Sequence, residues 1–206
     1  MKIKLLTVVT TSLFLIVGIV SANANLIENG SFEDPNLNNS WHVYDSIPGW
    51  TTISGAGIEV QDNVAGSSYD GSQHVELDSH NNSMMEQLID TTIGDFYTLT
   101  FFYSPRPGVA SLSNGIEAYW NNVLLGATIS GTTSGDTSWT EYNFDVMATG
   151  QETSLQFWAV GTSDRLGGYL DAVSLTTAPV PEPATMLLFG TGLIGLAGIR
   201  ARRKKK

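Results

Sequence analysis

Between residues 25 and 177, apolar side chains recur at every second position in short bursts, with no stretch of convincing helical period. Residues 96–103 set Tyr97, Leu99, Phe101 and Tyr103 against Phe96, Thr98, Thr100 and Phe102. Residues 139–147 place Tyr142, Phe144 and Val146 together, and residues 153–160 do the same with Leu155, Phe157 and Ala159. In residues 73–79, Val75 and Leu77 oppose His74, Glu76 and Asp78. Segments 57–61, 83–89, 115–120, 123–129 and 168–175 extend the series, separated by Gly, Asn, Ser and Pro clusters. A period of two puts alternate side chains on opposite faces of a strand, and each apolar face needs another to cover it. The pattern therefore predicts an all-β domain over residues 25–177, an antiparallel β-sandwich of the two-sheet jelly-roll kind.

The two ends break the alternation. Residues 5–20 are apolar apart from Thr, Ser and Gly; they follow the basic Met1-Lys2-Ile3-Lys4 and precede Ala22-Asn23-Ala24. This reads as a signal peptide, residues 1–24, with Ala22 and Ala24 as the small residues signal peptidase needs; an uncleaved anchor is the alternative. At the other end Val180-Pro181-Glu182-Pro183 closes a Pro-rich linker, residues 178–183. An apolar run follows over residues 184–199, and the chain ends on a basic cluster, residues 200–206. As a helix that run spans about 24 Å against about 30 Å of hydrocarbon, short for a permanent anchor and suited to a segment that is held and then cut. The basic cluster, as a cytoplasmic tail, leaves everything before Pro181 outside.

A Pro-Glu-Pro motif, an apolar helix and a basic stop, in that order, resemble the PEP-CTERM sorting signal of Gram-negative, biofilm-forming bacteria. The resemblance implies processing near Pro181, Glu182 and Pro183 by an exosortase. It also implies transient anchoring in the inner membrane, then delivery to the cell surface or exopolysaccharide matrix. An ordinary tail anchor is the alternative.

Setting the ends aside changes the electrostatics. Eight of the ten Lys and Arg lie in the terminal segments, leaving Arg106 and Arg165; of the twenty acids only Glu182 does. Residues 25–178 thus carry nineteen acids and two bases, a net charge of −17. Such a surface repels phosphate backbones and excludes nucleic-acid binding, while keeping an exported protein soluble. The absence of cysteine removes thiol nucleophiles, thiolate metal sites and disulfides.

Three landmarks of the domain resemble the galactose-binding-like jelly rolls, a group that includes many bacterial carbohydrate-binding modules. They are Asn25-Leu26-Ile27-Glu28-Asn29-Gly30-Ser31-Phe32-Glu33 with Ile47-Pro48-Gly49-Trp50, then residues 70–78, then Gly168-Tyr169-Leu170-Asp171-Ala172-Val173-Ser174-Leu175. The resemblance implies a tendency to bind sugars and a structural calcium held by Glu33 and Asp171. Asp171 shares a period-two face with Val173 and Leu175, which directs it to the core, where a carboxylate needs a cation or backbone N–H donors. Glu76 and Asp78 read as a solvated face.

Five tryptophans offer ring faces for stacking on pyranoses, although most tryptophans of a sandwich are core. The expected sugar contacts are Arg106, pinned between two prolines, with Tyr103, Trp120, Trp139 and Trp158. An ion pair with the acidic surface is the other role open to Arg106. No nucleophile elbow, zinc motif or phosphate loop is present, so the expectation is a non-catalytic exported protein that binds polysaccharide. A matrix protein without a sugar site and a glycan hydrolase are the alternatives.

Overall fold

A computed structural model describes residues 24–178. The signal segment before Ala24, the 181–183 motif, the apolar helix and the basic tail lie outside the described residues. Within them the strands are β1 (Trp41–Tyr44), β2 (Ser46–Ile47), β3 (Trp50–Ser54), β4 (Ile58–Asp62), β5 (Gln73–Glu76) and β6 (Met84–Asp90). They continue with β7 (Phe96–Ser104), β8 (Gly115–Trp120), β9 (Val123–Leu124), β10 (Thr140–Met147), β11 (Glu152–Val160) and β12 (Tyr169–Thr177). No helix occurs among the described residues. Two six-stranded sheets result, one ordered β1-β4-β5-β12-β7-β10 and the other β2-β3-β6-β11-β8-β9, with antiparallel pairing throughout. The all-β antiparallel sandwich expected from the alternation is the fold of the domain.

The inner faces meet through the residues whose period of two was clearest. Phe101 of β7 and Phe157 of β11 touch edge to face across the sheets, ring centroids 5.0 Å apart. Trp50 packs between Phe157 and Phe32 at 6.0 and 5.8 Å. Strands β7 and β10 pair over eight consecutive residues, with Tyr97, Leu99 and Phe101 inward. Burying a large aromatic of this kind is worth about 1.5–3 kcal/mol, so this aromatic column is the main tie between the sheets.

Three local features depart from the simple alternation. Strands β1–β3 lack a readable pattern because β1 and β2 are sheet edges and β3 is mostly polar. The expected strand 123–129 starts after a two-residue hairpin at Asn121 and Asn122, φ of 49° and 63°, but shortens to Val123–Leu124, because the chain bends at Gly126, φ of 69°, and rejoins the sheet only at the isolated Ile116–Ile129 bridge. Third, β12 contains a bulge. Its register against β7 shifts between Asp171 and Ser174, with Ala172 at a φ of 48°. Leu170, Val173 and Leu175 all enter the core, so Asp171 shares a face with Tyr169 and not, as the alternation implied, with Val173 and Leu175.

The outer face of the first sheet corrects a further expectation. Glu76 and Asp78 are fully buried, not solvated. Loops 63–72, 105–114, 131–138 and 161–168 form a second, polar layer around them.

Candidate functional site

Strand register assembles the polar layer. Glu59 of β4 opposes Glu76 of β5, which opposes Tyr169 of β12; Gln61 opposes both His74 and Trp41. These side chains point away from the apolar core, yet all except Trp41 are buried. Asp136 fastens part of the cover by accepting the Ser67 amide and hydroxyl, each at 2.9 Å. The Trp139 indole N–H donates to the Ser67 carbonyl at 2.9 Å. Asp78 fastens another part: its carboxylate accepts the amides of Asp164 and Arg165 at 2.8 and 2.9 Å and the Ser163 hydroxyl at 3.0 Å. A segment with Arg165 at a φ of 71° is thereby pinned over the sheet.

Inside this layer the Gln61 amide nitrogen donates to Glu59 Oε1 at 2.8 Å and to Glu76 Oε2 at 2.9 Å, bridging two carboxyl groups. Arg106 forms an ion pair with Glu76 Oε2, and Gly167 N donates to Oε1 at 2.7 Å. Burial pushes the Glu76 carboxyl up to about 8; the Arg106 guanidinium opposes this and neighbouring Glu59 adds to it. Burial likewise raises Glu59. His74 lies 4.3 Å from the Tyr169 ring and 5.8 Å from that of Trp139, and burial lowers it to about 4, so it is neutral at pH 7. Both His74 nitrogens lack partners, and neither Gln61 Oε1 nor the neighbouring Tyr169 hydroxyl completes a hydrogen bond of normal geometry. Buried polar atoms left in this state carry an unmet demand for partners.

The layer holds a cleft of about 290 Å³, lined by Trp41, Glu59, Gln61, Val64, Ser79, His80, Arg106 and Arg165. Trp41 is 51% exposed at its rim. Exposed apolar surface at the mouth and buried hydrogen-bonding groups at the floor are the two requirements for holding a small polar molecule that has an apolar face.

Of the residues expected to contact sugar, Arg106 lines this cleft, and its amide donates to Asn114 Oδ1 at 3.0 Å. Tyr103 stands behind it in the core, with its hydroxyl donating to the Asn114 carbonyl at 2.8 Å. Trp120 is core on the other sheet, its N–H given to the Met147 carbonyl. Trp139 is half-buried on the first sheet, edge-on to His74. Trp158, 38% exposed, lies on the opposite sheet. Tyr103, Trp120, Trp139 and Trp158 thus do not line the cleft: Tyr103 turns into the core, Trp120 and Trp158 belong to the other sheet, and Trp139 packs on His74 and donates to Ser67. Trp41, Gln61, Glu59, His80 and Arg165 were missed as cleft residues. The scarcity of cations could have pointed to Arg165; Trp41 stands on a strand with no legible pattern.

Glu33 and Asp171 both grip the 69–73 turn. Glu33 Oε1 accepts the amides of Ser72 and Gln73 at 2.7 and 2.8 Å, and Oε2 accepts the Ser72 hydroxyl at 3.2 Å. Asp171 Oδ2 accepts the amides of Tyr69 and Asp70 at 2.8 and 2.9 Å, while Oδ1 accepts that of Ala172 at 2.6 Å. All four oxygens face N–H or O–H donors. Burial pushes Asp171 up to about 7, against the pull of these amides.

The described residues therefore form an antiparallel β-sandwich with a polar cleft roofed by loops. Its fold is shared with the Stig cyclase Fisc from Fischerella sp. TAU, crystallised in complex with (3Z)-3-(1-methyl-2-pyrrolidinylidene)-3H-indole. That structure has a TM-score of 0.56 at 18% identity, covering 76% of this chain and 98% of the cyclase. An arabinose-bound GH51 α-L-arabinofuranosidase matches with a TM-score of 0.52 at 17% identity, over 75% of this chain and 26% of the enzyme. In sequence, the chain belongs to the DUF642 family, proteins of unknown function, which matches residues 25–176. Residues 179–204 match the PEP-CTERM protein-sorting motif, which marks the protein for export and sorting to the cell surface. A multifunctional-autoprocessing repeats-in-toxin protein of Vibrio vulnificus is 29% identical over 153 residues, 72% of this chain. The match spans 3% of the toxin's length.

Proposed function

We propose that the protein is delivered to the cell surface or extracellular matrix after exosortase processing near Pro181, Glu182 and Pro183, and there binds polysaccharide without catalysing a reaction. The observation that carries this reading is the cleft itself. An exposed indole, Trp41, stands over a polar floor that includes the buried Gln61, beside a fixed guanidinium, Arg106. A pyranose has a C–H-rich face for the indole and a ring of hydroxyls for such partners. The two carboxyl groups nearest the cleft are tied to the Gln61 amide, and Glu76 also to Arg106 and Gly167, an arrangement that holds a framework in place. In place of a calcium site, we read Glu33 and Asp171 as clamps on the 69–73 turn.

The test is retention of the exported protein on the producing cell's own exopolysaccharide. Trp41→Ala should weaken retention by about tenfold, the size of one lost stacking contact. Trp158→Ala, on the opposite sheet, should leave it unchanged. No retention of the unaltered protein would favour a matrix role through protein contacts. Release of reducing ends would overturn the non-catalytic reading.

A further inference from the structure

Residues 25–178 contain two cationic side chains among nineteen acids, and both line the same cleft. Their states differ. Arg106 is engaged: its guanidinium contacts buried Glu76 Oε2 and also lies 5.8 Å over the Tyr169 ring. Arg165 is exposed and makes no ion pair among the described residues, although Asp164 adjoins it and the Asp78 carboxylate accepts its amide. Its backbone is not free to drift, because Asp78 and the neighbouring turn hold it at the cleft mouth. A lone unmatched guanidinium, fixed beside an exposed indole in a domain of charge −17, has no structural partner of its own. We infer that the cleft selects a glycan bearing a carboxylated sugar, with Arg165 reading the carboxylate while Trp41 stacks on the ring. This rests on the sugar-binding reading above.

Charge narrows the ligand further. A guanidinium fork matches the two oxygens of one carboxylate. Only one such fork is free, and the remaining surface repels anions beyond the cleft, over a Debye length of about 8 Å at physiological salt. The fitting ligand is therefore a largely neutral glycan carrying isolated uronates, not a polyanion.

The experiment compares binding of the exported protein to two sets of probes. One set is the producing cell's exopolysaccharide, native and carboxyl-reduced. The other is galactotriose and cellotriose with the terminal residue oxidised to the uronate, each beside the unoxidised sugar and a sulfated galactotriose. We expect native polymer and at least one uronate trisaccharide to bind about tenfold tighter than their neutral counterparts, the contribution of a charge-assisted hydrogen-bond pair. Arg165→Gln should abolish that preference without moving the melting temperature, since only the backbone of Arg165 serves the fold. Equal binding of acidic and neutral members, or a preference surviving in Arg165→Gln, overturns this inference and leaves the sugar-binding reading standing. Preference for the sulfated sugar over the uronate overturns the carboxylate assignment. If no probe binds, both readings fall.

Discussion

Glu76 makes stability fall with rising pH in a range where most acidic proteins are indifferent. Its carboxyl stands at about 8 against an ordinary 4.5, driven by burial, and Asp171 stands at about 7 against 3.8 for the same reason. Both folded values lie above the unfolded ones, so the folded state keeps protons that the unfolded chain has released. That contribution is fully present below the unfolded value and is lost as pH rises through the folded value. Each pH unit over which one such group is protonated only in the folded state removes about 1.4 kcal/mol. From pH 6.5 to 8 Glu76 accounts for about 2 kcal/mol and Asp171 for about 1 kcal/mol or less. At about 2–4 °C per kcal/mol for a domain of this size, the melting temperature should drop by about 5–10 °C. His74 works in the opposite direction, because its folded value of about 4 lies below its ordinary 6.5, but that acts only below pH 6.5. Thermal unfolding followed by circular dichroism at half-unit steps measures the slope, and Glu76→Gln should reduce it to the smaller part contributed by Asp171. A flat or rising profile between pH 6.5 and 8, or an unchanged slope in Glu76→Gln, would refute the reasoning.

Two further outcomes test the frame around the cleft. Chelation should leave the melting temperature unmoved, because Glu33 and Asp171 spend their oxygens on the amides of the 69–73 turn; a fall on adding a chelator, reversed by calcium, would restore the cation site. Gly30→Ala should cost more than about 3 kcal/mol or prevent folding, since the added carbon collides with the Val173 carbonyl oxygen and forces the 25–30 segment off the β12 bulge. Urea unfolding of the variant supplies the figure, and a loss under about 1 kcal/mol would show that the segment can yield.

The alternation along the chain determined the sandwich by itself. Wherever a strand buries one face and shows the other to something polar, the period of two is written in the residues, as in Tyr97, Leu99, Phe101 and Tyr103 or Leu155, Phe157 and Ala159. The delivery signal was equally legible, because a sorting motif is read as a linear string. The cleft was not, apart from Arg106 and the rarity of its partner Arg165. A polar residue such as Gln61 or Glu76 on the outer side of a strand carries no local sign of whether loops will cover it, and four separate loops do so here. Asp171 shows the same limit within one strand: a single bulged residue, Ala172, reverses the face that strict alternation assigns to it. Local periodicity reports which side of a strand is apolar, and only tertiary packing decides what the other side meets.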